Sequence, residues 1–137
     1  MKILLLALLE PVLSMQILCL AFLSILFLQS GLDKVFNYRD NYEWIKGHFA
    51  KSPLKGTVGL MMPMITILEL AAGLLSAVGI AMLLIDGSTE LGLWGSQLAA
   101  ISLLALFFGQ RLAQDYAGAA TLTTYFLISL LGIYLMS

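Results

Sequence analysis

The sequence predicts an all-α fold: an integral membrane four-helix up-and-down bundle with an interfacial amphipathic helix between the first and second spans. Three observations predict it. The chain of 137 residues is 61% hydrophobic and 11% charged, against about 45–50% and about 25% in soluble domains. Four segments, residues 11–29, 58–85, 91–109 and 117–136, reach the roughly 20 residues that carry a helix across hydrocarbon. Nothing alternates with period 2 over barrel-strand lengths, and open strands would leave backbone groups unpaired in lipid. Residues 1–137 read as one membrane domain.

The N-terminus opens like a signal peptide, with Lys2 ahead of the apolar residues 3–9. Glu10-Pro11 interrupts that run and no small-residue cleavage site follows, so the segment reads as retained, with Pro11 a kink or a helix start. The second span, residues 58–85, is long enough to tilt. The linkers after the second and third spans are short, which makes those neighbours antiparallel hairpins.

The first linker, residues 30–57, differs from the others. It holds five of the seven Lys/Arg residues (Lys34, Arg39, Lys46, Lys51, Lys55) and the one histidine, His48. Asp40-Asn41-Tyr42-Glu43 has the spacing of a capping box, and Tyr38, Tyr42, Ile45 and Phe49 then share a helical face. Ser52-Pro53 ends the segment, so an amphipathic interfacial helix is expected over about 38–52, with Trp44 and the tyrosines at headgroup level. The alternative is a solvated loop with scattered aromatics. Counting Arg111, the first and third linkers carry six Lys/Arg; Lys2 is the other, and the second linker holds Asp86 and Glu90. The positive-inside rule therefore places the first linker in the cytoplasm and both termini on the outer side.

Within the spans the costly residue is Glu69, since a charge at mid-bilayer costs about 2.5 kcal/mol or more. Thr66, Gly73 and Ser76 share its face, a small and polar stripe of the kind that lets helices approach closely. Gly92, Gly95, Ala99 and Ser102 make a matching stripe on the third span, with Gln97 offset from it. Gly118, Thr121, Tyr125, Ser129 and Gly132 make one on the fourth. At about 1.5 Å per residue, Tyr125 and Gln97 lie near the depth of Glu69 and are the expected hydrogen-bond partners. Arg111 and Asp115 stand at i, i+4, where they can pair on one helix face; they read as a snorkelling cap or as an anion or quinone-headgroup contact. Three readings of Glu69 stay open: a protonated hydrogen-bond donor fixing the bundle's register, a proton or quinone site, or a subunit contact.

Other chemistry is excluded or weak. Cys19 is the one cysteine, so there is neither an intrachain disulfide nor a CxxC pair. A single histidine rules out a bis-His haem within the chain, and His48 reads as a headgroup contact. Met61, Met62 and Met64 around Pro63 read as gap-filling or lipid-facing rather than as copper ligands. No catalytic constellation, metal-ligand cluster or phosphate loop is visible, and a net charge of −1 gives no argument for nucleic acid.

Four stretches in order, "FLQSGLDKVFNY" (27–38), "FAKSPL" (49–54), "ILELAAGLLSAVG" (67–79) and "GQRLAQDYAGA" (109–119), together resemble the DoxX family of small four-helix membrane proteins. The resemblance covers essentially the whole chain. It implies a bacterial cytoplasmic-membrane subunit that accompanies other membrane oxidoreductase subunits and supports quinone-linked electron transfer. It implies that Lys34, Glu69, Arg111 and Asp115 occupy the family's polar motif positions, with quinone as the candidate cofactor and nothing bound covalently, in a subunit that is either non-catalytic or catalytic only as part of a quinol/quinone oxidoreductase. The rival expectations are a purely structural or assembly protein, homo-oligomers included, and a small-solute or proton transporter. No span is visibly broken at midplane and no inverted repeat is evident, which disfavours the transporter.

Overall fold

Glu10 and Pro11 start the first long helix. The Glu10 carboxylate accepts from the backbone N–H groups of Val12 and Leu13, and Pro11 occupies the first turn, where a missing N–H and a fixed φ cost nothing. The computed structural model describes residues 9–137, and in them five helices: α1 (Pro11–Phe36), α2 (Tyr38–His48), α3 (Val58–Ile85), α4 (Glu90–Leu112) and α5 (Tyr116–Met136). Of the signal-like residues 3–9, all but Leu9 lie outside the described residues. The helices α1, α3, α4 and α5 are each long and apolar enough to cross a membrane, and the described residues contain no strand.

Three helix ends and one cap differ from expectation: α2 stops at His48 rather than near 52, and α4 runs to Leu112 rather than 109. The first apolar run thins out after residue 29, yet α1 continues to Phe36, so Lys34 belongs to a helix and not to a linker. The capping box over residues 40–43 does not form. Instead α2 begins at Tyr38 with Asn37 ahead of it. The Asn37 and Asn41 side-chain amides donate to the Asp33 carboxylate at 2.9 and 3.1 Å. One residue thus separates α1 from α2, and the three side chains brace the joint.

The long helices pack in chain order, α1 on α3, α3 on α4 and α4 on α5, with α1 also meeting α5. Glycines set how close they come. A Cβ on Gly79 would stand 2.7 Å from the Cα of Gly92, and one on Gly73 would stand 2.9 Å from the backbone N of Leu28. Gly31 lies against Leu70, Gly95 against Ser76 and Gly132 against Ser96. Along each contact, residue numbers rise on one helix as they fall on its neighbour.

Burial runs opposite to that of a water-soluble domain. Leu20, Leu23, Phe27, Ala72, Ala99 and Leu103 are buried, but so are Ser24, Thr66, Glu69, Ser76, Ser96, Ser102 and Ser129. Leu18, Ile25, Leu60, Ile67, Ile85, Leu127 and Tyr134 face outward. The Thr66, Ser102 and Ser129 hydroxyls donate to carbonyls of their own helices, which satisfies them without a partner helix. Gln16 donates across to the Leu135 carbonyl at 2.8 Å and ties α1 to the end of α5. The predicted stripes on α3 and α4 are buried throughout; on α5, Ser129 and Gly132 are buried but Thr121 is exposed.

The Gly79–Gly92 contact gives a direct test. Gly79→Ala pushes a methyl into backbone, and overpacking of this kind costs about 1–3 kcal/mol. Gly47→Ala on α2 meets nothing within 4 Å. Thermal unfolding in mild detergent should show a clear loss of Tm for the first and no loss for the second.

Candidate functional site

The last turns of α1, the adjoining helix α2, and the α4–α5 turn far along the chain meet at one end of the molecule. Lys34 is the first functional side chain there. Because α1 continues past residue 29, Lys34 falls one turn after Ser30, and its ammonium donates to the Ser30 hydroxyl at 2.9 Å. Glycines then close the gap to α3, since Gly31 sits on Leu70 and Gly73 on Leu28. The result is an ion pair, with Lys34 Nζ 2.9 Å from Glu69 Oε1. The Glu69 side chain is 2% exposed and that of Lys34 14%. No donor meets Oε1 with hydrogen-bond alignment, so the contact acts through charge.

This replaces the expected partners of Glu69. Gln97 points outward from α4. Tyr125 is half-buried and packs its ring on Phe22 across α1 and α5, with centroids 5.8 Å apart. Neither bonds to Glu69. The carboxylate is paired with Lys34, which lies on a helix that runs seven residues past the end the hydropathy pattern gives it.

A second pair forms beside the first. His48 Nε2 lies 2.7 Å from Gln110 Oε1 and 3.5 Å from Asp115 Oδ2. Its ring stacks on Trp44 with centroids 4.8 Å apart and meets the edge of Phe49. With acceptors on the Nε2 side, that nitrogen carries the proton and donates. Asp115 caps α5 by accepting from the Gly118 N–H at 2.9 Å.

The expected Arg111–Asp115 pairing on one helix face does not occur, because α4 ends at Leu112 and Gln114 takes a left-handed φ of 60°. The competing interaction is the N-cap, which an aspartate satisfies well. Arg111 instead lies over the Tyr116 ring, 4.5 Å from its centroid.

Between these pairs lies a cavity of about 360 Å³. Its polar end is lined by Lys34, Asn41, His48 and Gln110, and its apolar side by Met61, Met64, Ile65, Leu68 and Leu106, with Trp44 on the α2 wall. That volume lies at the lower end of the range for small-molecule pockets. A Lys ammonium has three N–H groups; Ser30 takes one, so Lys34 keeps donor capacity beyond its own contacts. Ser30, His48 and Gln110 were not predicted as a site. His48 and Gln110 are 62 positions apart, and no periodicity signals such a meeting. No group of three or more His, Cys, Asp or Glu side chains able to hold a metal occurs among the described residues.

Comparison of the chain with protein-family models, with curated proteins and with solved structures gave no match.

The ion pair predicts a specific pattern of stabilities. Glu69→Leu strands a partly buried ammonium and Lys34→Met a buried carboxylate, and losing one partner of such a pair costs about 3–5 kcal/mol. The double variant removes both charges and should be more stable than either single variant. Unfolding of the four proteins in mild detergent, analysed as a double-mutant cycle, measures this coupling directly.

Proposed function

We propose that the chain is a multi-pass subunit of a bacterial cytoplasmic membrane that supports quinone-linked electron transfer as an accessory component of a membrane oxidoreductase. In this reading α1, α3, α4 and α5 cross the bilayer as an up-and-down bundle, and α2 lies in the interface. The basic first and third linkers face the cytoplasm, and both termini face outward. The opposed residue order along the helix contacts and the outward-facing leucines and isoleucines support the bundle. The inward placement of Ile45, His48 and Phe49 opposite exposed Glu43, Lys46 and Gly47 supports an amphipathic α2.

The observation that carries the functional reading is the cavity. Its polar end offers N–H donors from Lys34 and Gln110, and its apolar side runs along α3 and α4. A quinone needs this combination: donors for two carbonyl oxygens, an aromatic-lined slot for the ring, and an apolar path for the tail. The likeness of residues 27–38 and 109–119 to DoxX motifs supports the same reading, since Lys34 and Gln110 come from those two stretches.

The chain purified in mild detergent should retain extractable quinone, and adding a short-tailed quinone should quench the fluorescence of Trp44. Trp44 and Trp94 are the two tryptophans. Trp94→Phe should therefore keep the quenching and Trp44→Phe abolish it; equal quenching in both variants would place the ligand elsewhere. For topology, alkaline phosphatase fused after Ser137 should be active, and a fluorescent protein fused there should stay dark.

A further inference from the structure

Each basic group on the cavity wall has a carboxylate standing behind it. Lys34 and His48 line the cavity, while their partners Glu69 and Asp115 do not. Glu69 is buried beneath Lys34, with its Oε1 2.9 Å from the ammonium. Asp115 lies on the α5 side of His48 at 3.5 Å, with its other oxygen committed to the Gly118 N–H. The remaining polar group of the α4 wall, Gln110, is uncharged. The wall therefore presents donors to the cavity, with a carboxylate within a few ångströms of each basic group.

We infer that this arrangement sets the site's specificity: the cavity takes an uncharged headgroup that accepts hydrogen bonds, and Glu69 and Asp115 are the residues that exclude anionic headgroups. The inference rests on the quinone reading and sharpens it, because it separates a neutral carbonyl-bearing ring from a phosphate or carboxylate amphiphile with an equal tail. An unneutralised ammonium at the mouth of an apolar slot binds phosphate strongly, through charge-assisted hydrogen bonds. The same ammonium beside a carboxylate keeps its N–H groups but loses the net attraction. Glu69 and Asp115 thus act through Lys34 and His48, as positioning residues that touch no ligand.

The test uses the full chain in neutral-lipid nanodiscs on a Trp94→Phe background, so that Trp44 is the reporter. A decyl-tailed benzoquinone is titrated by quenching, and decyl phosphate by its ability to displace that quinone. The unaltered site should prefer the quinone. Glu69→Gln should raise the affinity for decyl phosphate relative to that for the quinone by at least about tenfold, the effect of one unit charge left without its counterion at contact range. Because Glu69→Gln disturbs a buried pair, Asp115→Asn supplies an independent variant; asparagine still caps α5. It should gain decyl phosphate affinity, because His48 then lines the cavity with no carboxylate behind it. Equal affinity for the two probes in the unaltered site overturns the inference while leaving quinone binding intact. So does a lack of phosphate gain in both variants. Failure of the unaltered chain to bind the quinone overturns the functional reading, and the inference falls with it.

Discussion

A carboxylate buried among leucines must find a countercharge or several donors, and this requirement organises the site end of the molecule. Glu69 lies about 16 Å from the start of α3 at the rise of a regular helix. It is met by Lys34, whose helix runs on past the apolar stretch for that contact to exist. For the pair to close, α1 and α3 must come near each other, and Gly31 and Gly73 supply the clearance. Once Lys34 is held by Glu69 and Ser30, the last turn of α1 is fixed, and with it the start of α2. The cavity wall is built on those turns.

The remaining cohesion has a different character. Among the long helices, small residues and hydroxyls bonded to their own helices allow close approach, and Leu23, Phe27, Ala72, Ala99 and Leu103 form the apolar core between them. Ser76 and Ser96 are fully buried with hydroxyls that meet no partner, and they sit where Gly95 and Gly132 allow backbone to come close. At the far end from the cavity, Leu20, Leu83 and Met136 form the local core. The two ends thus differ: one is held by oil and shape, the other by charge.

Much of the architecture was legible in the sequence because it depends on local composition. Twenty apolar residues announce a possible span, and the Thr66–Glu69–Gly73–Ser76 spacing shows which face of α3 turns inward. Helix ends were less legible. Hydropathy fades at residue 29, but backbone hydrogen bonding in α1 does not, and that difference concealed Lys34 as the partner of Glu69. Depth counted along separate helices brought Tyr125 and Gln97 level with Glu69, yet it carries no information about which way Gln97 points. Arg111 and Asp115 have helical spacing, but the aspartate does more as the first cap of α5 than as a neighbour on α4. His48 meets Gln110 and Asp115 only after two linkers fold over one another, and no single-chain pattern encodes that.

The joint at Asn37 has a mechanical side. With a single residue between two helices, α2 is an arm fixed to α1 at one end, and Trp44 rides about 10 Å along it at the rise of a regular helix. A swing of about 10° about that pivot moves the indole by roughly 2 Å, while Lys34, three residues ahead of the pivot on α1, stays with Glu69. The Asp33–Asn37–Asn41 clasp resists the swing at the root, and the His48–Gln110 hydrogen bond resists it at the tip. The width of the slot is therefore a matter of leverage, set by how firmly α2 is held at its root and at its tip.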